Sequence, residues 1–118
     1  MRTRLRHDLT AAIKARDLAA VAALRSALAA IENAEATEVI RAPRPTASEY
    51  IAASTVGLGA AEVERRVLSH SEVHALVQAQ VDERSFAADE YEKLGRDDLA
   101  GRLRTEADVL REYLQPSP

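Results

Sequence analysis

Two short junctions constrain this chain more than any other feature. Asp17 interrupts one long run of helical periodicity, and Gly95-Arg96-Asp97 interrupts another. On each side of each junction, apolar residues recur every three or four positions, the spacing that places them on one face of a helix. Such a pattern reads as two helical hairpins. The first helix is expected over about Thr3 to Arg16, with Thr3 as N-cap and Leu5, Leu9, Ala12 and Ile13 on one face. The second runs from about Leu18 to Ala36, capped by Asp17, with Leu18, Val21, Leu24, Leu28 and Ile31 as its core stripe.

Ser69-His70-Ser71-Glu72 has capping-box spacing, so a third helix is expected from there to about Leu94. Its stripe is Val73, Leu76, Val77, Val81, Ala87, Ala88, Tyr91 and Leu94, and Gly95 supplies the stop. Asp97 reads as N-cap of a fourth helix, about Asp98 to Leu114, carrying Leu99, Leu103, Ala107, Leu110 and Leu114. Pro116 ends it. Aromatic strand formers are scarce, with one Phe, three Tyr and no Trp. The expected fold is therefore all-α, a small bundle of two hairpins in one domain spanning 1–118.

Residues 37–68 break the pattern and read as a long irregular connection. Ala42-Pro43-Arg44-Pro45-Thr46 forbids a continuous helix. Ser48 to Ala53 reads as a short helical turn, and Thr55 to Ala60 as loop.

Charge and composition narrow the function. There is no cysteine, which excludes a disulfide framework and a thiolate nucleophile and is compatible with a reducing cytoplasm. The basic start has no apolar run after it, so it does not read as a signal peptide, and no stretch suits a membrane span. The net charge of −3 does not suit a general nucleic-acid binder. Its distribution is uneven: residues 1–45 carry 8 basic and 5 acidic side chains, residues 46–118 carry 8 and 14. A basic N-terminal surface made by Arg2, Arg4, Arg6, Lys14 and Arg16, joined by Arg65 and Arg66, is the candidate RNA contact.

Three charges fall inside apolar arcs: Arg25, Arg84 (with Gln80 beside it) and Glu106. A buried charge needs a partner, so Glu106 is expected to accept hydrogen bonds from Arg84, Arg25 or both. Glu32 shares the Arg25 face and competes for it. The cluster reads either as an ion pair fixing helix register or as arginines lining a cleft.

His70 and His74 have metal-ligand spacing but lack a third ligand, and His7 reads as solvated, so no metal is expected. Gly57-Leu58-Gly59 lacks the strand and third glycine of a dinucleotide site, and no cofactor is expected. No nucleophile with a general base and oxyanion hole is recognisable. Asp82-Glu83 and Asp89-Glu90-Glu92 read as the solvent face of the third helix, with Phe86 roughly opposite its core stripe.

Ala15-Arg16-Asp17, Ala23 to Leu28 and Glu32 to Glu35 resemble the start of YqeY-like proteins. Glu90 to Leu99, Glu106, Leu110 and Tyr113-Leu114 resemble their second hairpin. The resemblance covers about three quarters of the chain. It implies a fold like the tail of the GatB amidotransferase subunit, where a helical module engages tRNA. It also implies the class of carbon–nitrogen ligases using glutamine as amido donor, with tRNA or an amidotransferase-type protein as partner. Two departures are expected: the family's C-terminal helical subdomain is absent, and an insertion separates the hairpins. The reading is an accessory, noncatalytic cytoplasmic module, with a protein-interaction module as the alternative.

Overall fold

The computed structural model describes residues 1–40 and 67–116, with side chains for 1–36 and 67–116. It is an all-α bundle, and among the described residues there is no strand. The order is α1 (Arg2–Ala15), α2 (Leu18–Ile40), α3 (His70–Lys93), α4 (Asp97–Arg111) and a 3₁₀ turn at Glu112–Leu114. The chain forms two compact units, Met1–Ile31 with Ser69–Pro118, and Glu32–Leu68. The irregular reading of 37–68 is corrected at its start, since α2 continues to Ile40. The short helical turn expected at 48–53, the loop at 55–60 and Gly57-Leu58-Gly59 lie outside the described residues.

The helix boundaries follow from how orphan backbone groups are satisfied. The Ala20 N–H donates to Asp17 Oδ1 over 3.2 Å, so Asp17 caps α2. At α3 the capping box is complete: Glu72 N–H donates to Ser69 Oγ over 3.1 Å, and Ser69 N–H donates back to Glu72 Oε1 over 3.2 Å. At the other end Arg96 N–H reaches the Tyr91 carbonyl over 2.8 Å, and Gly95 N–H reaches that of Glu92 over 3.0 Å. These two bonds make a Schellman turn, which places Gly95 in the left-handed region at φ 76°. The α1–α2 turn has the same bonding: Asp17 N–H to Ala12 O over 3.0 Å, and Arg16 N–H to Ile13 O over 3.1 Å. There the left-handed position, φ 56°, is held by Arg16 without the freedom of glycine.

Two expected caps are displaced. Thr3 lies inside α1, whose N-cap is Met1, and Asp97 lies inside α4, whose N-cap is Arg96. Neither N-cap residue makes a side-chain capping hydrogen bond. Asp97 and Asp98 instead sit in the first turn of α4, where a negative charge suits the helix dipole. The Leu99 N–H, bonded to the Asp98 carboxylate, holds it below the usual range. The fourth helix also ends early, at Arg111, and tightens into the 3₁₀ turn.

The core of the first unit is built from small residues. Ala20, Ala23, Leu24, Ala27, Leu28 and Ile31 are buried on α2, and Val73, Val77, Val81 and Ala88 on α3. Ala100, Ala107 and Leu110 on α4, Tyr113, and Leu5 and Ala12 on α1 complete it. Alanines let helices approach closely, and Ser26 Oγ meets Gln80 Oε1 over 2.6 Å between α2 and α3. The α3 and α4 helices pack against each other. The expected stripes fail at their ends. Leu18 is 69% exposed, Leu94 75% and Ile13 48%, and Tyr91 is also exposed. All four flank the two interhelical turns, where the helices overhang the core.

Candidate nucleic-acid interface

The basic residues of α1 reach the surface because Leu5 and Ala12 take its inward positions. Arg4, Arg6, Lys14 and Arg16 are exposed, and Arg2 is half-buried. Arg65 and Arg66 lie outside the described residues. The only carboxylate within α1, Asp8, accepts a short hydrogen bond from the Tyr113 hydroxyl, 105 residues away. Burial, first, and then this bond to a carboxylate push the Tyr113 phenol above its ordinary value.

Tyr113 in turn positions Arg4. The Arg4 guanidinium carbon lies 4.6 Å from the centre of the Tyr113 ring, a cation–π contact. Asp8 orients the ring, and the ring holds the cation. Among the described residues no carboxylate forms an ion pair with Arg4.

Arg4 and Tyr113 border a cavity of about 380 Å³. Met1 and Arg4 line it from the start of α1, His70 and His74 from the start of α3, and Tyr113 and Leu114 from the 3₁₀ turn. Gln115 and Pro116 complete the wall. His74 Nε2 is 3.4 Å from the Leu114 carbonyl oxygen, which fixes that ring against the turn when Nε2 carries the proton. His70 is exposed, as is His7. Among the described residues no Asp or Glu lines the cavity.

The other charged cluster lies between α3 and α4. Arg84 Nε donates to Glu106 Oε1 over 3.1 Å, and Arg84 Nη1 donates to Gln80 Oε1 over 2.8 Å. Arg102 approaches the second Glu106 oxygen at 3.5 Å. Arg25 is exposed and does not join Glu106; Arg102 stands where sequence spacing made Arg25 a candidate. Spacing along α2 does not set the helix rotation, and that rotation turns Arg25 outward. The Asp82, Glu83, Asp89, Glu90 and Glu92 carboxylates are on the surface, and Phe86 is 70% exposed.

Sequence spacing missed the Asp8–Tyr113–Arg4 relay and the cavity it borders. No local pattern links the two ends of the chain, and the one available signal was Tyr113-Leu114 within the family resemblance. Among the described residues no group of three or more His, Cys, Asp or Glu is placed to hold a metal ion. None of the described helices is long and apolar enough to cross a membrane.

The family model described as Yqey-like protein matches residues 51–118, more than half of the chain. The match takes in α3, α4 and the 3₁₀ turn and leaves out α1 and α2, so it is narrower than the resemblance read across both hairpins. No curated protein and no solved structure matches the chain.

Proposed function

Since this chain belongs to the YqeY-like family, we propose that it is an accessory helical module related to glutamine-dependent tRNA amidotransferases. In this reading it contacts tRNA, works in the cytoplasm and does not itself catalyse. The observation that carries it is the surface of α1, where Arg4, Arg6, Lys14 and Arg16 are exposed and the helix's one carboxylate is engaged by Tyr113. Arg2, Arg65 and Arg66 extend the proposed contact. Phosphate binding requires such a local excess of cations, and a net negative chain concentrates it on one element.

A second reading, a protein-interaction module without RNA binding, draws on the exposed Phe86, Leu94 and Leu18. An unpaired apolar side chain of that size is a natural contact for another protein.

The deciding measurement is tRNA affinity as a function of salt. An α1 contact predicts binding that weakens as salt rises, with the log–log slope falling by about 1 for each phosphate-bound cation removed, as in Arg6→Gln or Lys14→Gln. No tRNA complex even at low salt ends the proposal. Recovery of one stable protein partner with no RNA favours the second reading. Ammonia release from glutamine by the repurified chain would overturn the noncatalytic assignment.

A further inference from the structure

The cavity at the joint between α1, α3 and the 3₁₀ turn has no role in a contact made by the outer face of α1 alone. Its volume, about 380 Å³, falls within the range of small-ligand sites. Among the described residues its ionisable side chains are Arg4, His70, His74 and the Tyr113 phenol, with no carboxylate. Such a lining repels cations and attracts an anion.

Arg4 is prepared for that task. Its guanidinium is held against the Tyr113 ring at 4.6 Å. A cation–π contact uses none of the guanidinium's N–H groups as hydrogen bonds to oxygen, so they stay available for a two-point contact with phosphate oxygens. Stacking also restricts the long side chain before any ligand arrives, which reduces the ordering cost of binding. Asp8 tightens the arrangement by holding Tyr113. Leu114 and Pro116 supply an apolar wall, and Gln115 an amide, in the same lining as Arg4. Charge at one side and apolar surface with an amide at the other suit a ligand that carries both a phosphate and a ring.

From this the geometry points to a nucleotide site: the cavity takes one nucleotide unit of an RNA strand, its phosphate on Arg4 and His70 and its base toward Leu114 and Pro116. The inference rests on the tRNA reading above for the source of that nucleotide. It departs from that reading in placing the specific contact inside the cavity, with residues from both the family-matched segment and α1.

Adenosine 5′-monophosphate tests the cavity separately from the tRNA reading. Titrated into the full chain and followed by NMR, it should shift the His70 and His74 ring signals saturably, more strongly than inorganic phosphate does. Arg4→Gln and His70→Gln should each weaken it by about tenfold or more, the worth of one charge-assisted hydrogen bond. Arg96→Gln, on the α3–α4 turn, should leave it unchanged, and tRNA should displace the nucleotide. No saturable shift, or one that both cavity variants leave intact, overturns the site. Inorganic phosphate shifting the rings as strongly overturns the nucleotide class. Tight tRNA binding without displacement sinks the cavity and leaves the α1 reading standing. A saturable nucleotide shift with no tRNA complex at any salt does the reverse: the cavity survives, and RNA as its source is overturned.

Discussion

Arg84 and Glu106 face each other across the α3–α4 packing, Nε to Oε1 at 3.1 Å, with side chains 12% and 9% exposed. The pair sits among the alanines and valines that build this core. The Gln80 amide oxygen accepts from Arg84 on its own helix and from Ser26 on α2, so with the Arg84–Glu106 bond three hydrogen bonds link α2, α3 and α4. Arg102 approaches the second Glu106 oxygen from the solvent side, 58% exposed.

Removing both members of this pair should cost less than the two single losses added together. Glu106→Leu leaves Arg84 nearly buried beside a carboxylate that is gone, and about 3 kcal/mol of stability should be lost. Arg84→Met should cost less, because Arg102 still neutralises Glu106. In the double variant the loss should fall well short of the sum, since neither charge is stranded. Urea unfolding of the four proteins measures all of this. Additive losses would mean that the two side chains do not depend on each other.

The two interhelical turns share a backbone geometry but not a residue, which makes them a matched pair. Gly95 at φ 76° has open space where a side chain would go, so Gly95→Ala should cost only backbone strain, about 1–2 kcal/mol. Arg16 already carries that strain at φ 56°. Arg16→Gly should therefore raise the stability, by up to about 1 kcal/mol after the extra entropy of an unfolded glycine is subtracted. Thermal or urea unfolding should move in opposite directions for the two variants. Equal destabilisation by both would show that the Arg16 side chain does something its exposure conceals.

How far the sequence carries depends on the range of the interaction. Asp17, the Ser69–Glu72 box and Gly95 are legible because a cap needs only residues three or four apart. Leu18, Ile13, Tyr91 and Leu94 are not, because periodicity tells which side of a helix is apolar without telling where the core stops. Glu106 is legible as a charge in an apolar arc. Its partners are legible in part: Arg84 lies in a facing arc and Arg102 is four residues away on the same helix, whereas the exclusion of Arg25 depends on the rotation of α2 against its neighbours, which spacing does not give. The Arg4–Tyr113–Asp8 relay lies furthest from view: it joins opposite ends of the chain, and neither end shows a pattern that calls for the other.

Ser69 offers the simplest test of a local signal. Ser69→Ala removes the acceptor for the Glu72 N–H and leaves half of a reciprocal pair. About 1 kcal/mol should be lost, while Ser69→Asp, which restores an acceptor at the same place, should recover most of it. His70 follows directly, so fraying of the first turn of α3 should also broaden the His70 and His74 ring signals in the alanine variant. Sharp, unshifted signals would show that the cavity wall does not depend on the cap.

Tyr113 gives the last prediction, and its sign is set by the direction of the shift. The phenol is pushed above its ordinary value of 10.0 in the folded chain, first by burial and then by the bond to Asp8. Below that value both folded and unfolded chains hold the proton, and the full stabilisation is present. As pH rises past 10.0 the unfolded phenol ionises first, so folding retains a proton that unfolding releases. Stability must then fall with rising pH, and continue to fall until the folded phenol also ionises. In Tyr113→Phe there is no proton to release, and this part of the alkaline slope should vanish. The same variant removes the hydroxyl that orients the ring toward Asp8, so it should start less stable near neutral pH and converge on the parent protein as the solution becomes alkaline. Unfolding midpoints measured from pH 8 to pH 11 decide it. Parallel curves for the two proteins would mean that the Tyr113 hydroxyl is not held by Asp8 in solution, and the preparation of Arg4 would lose its support.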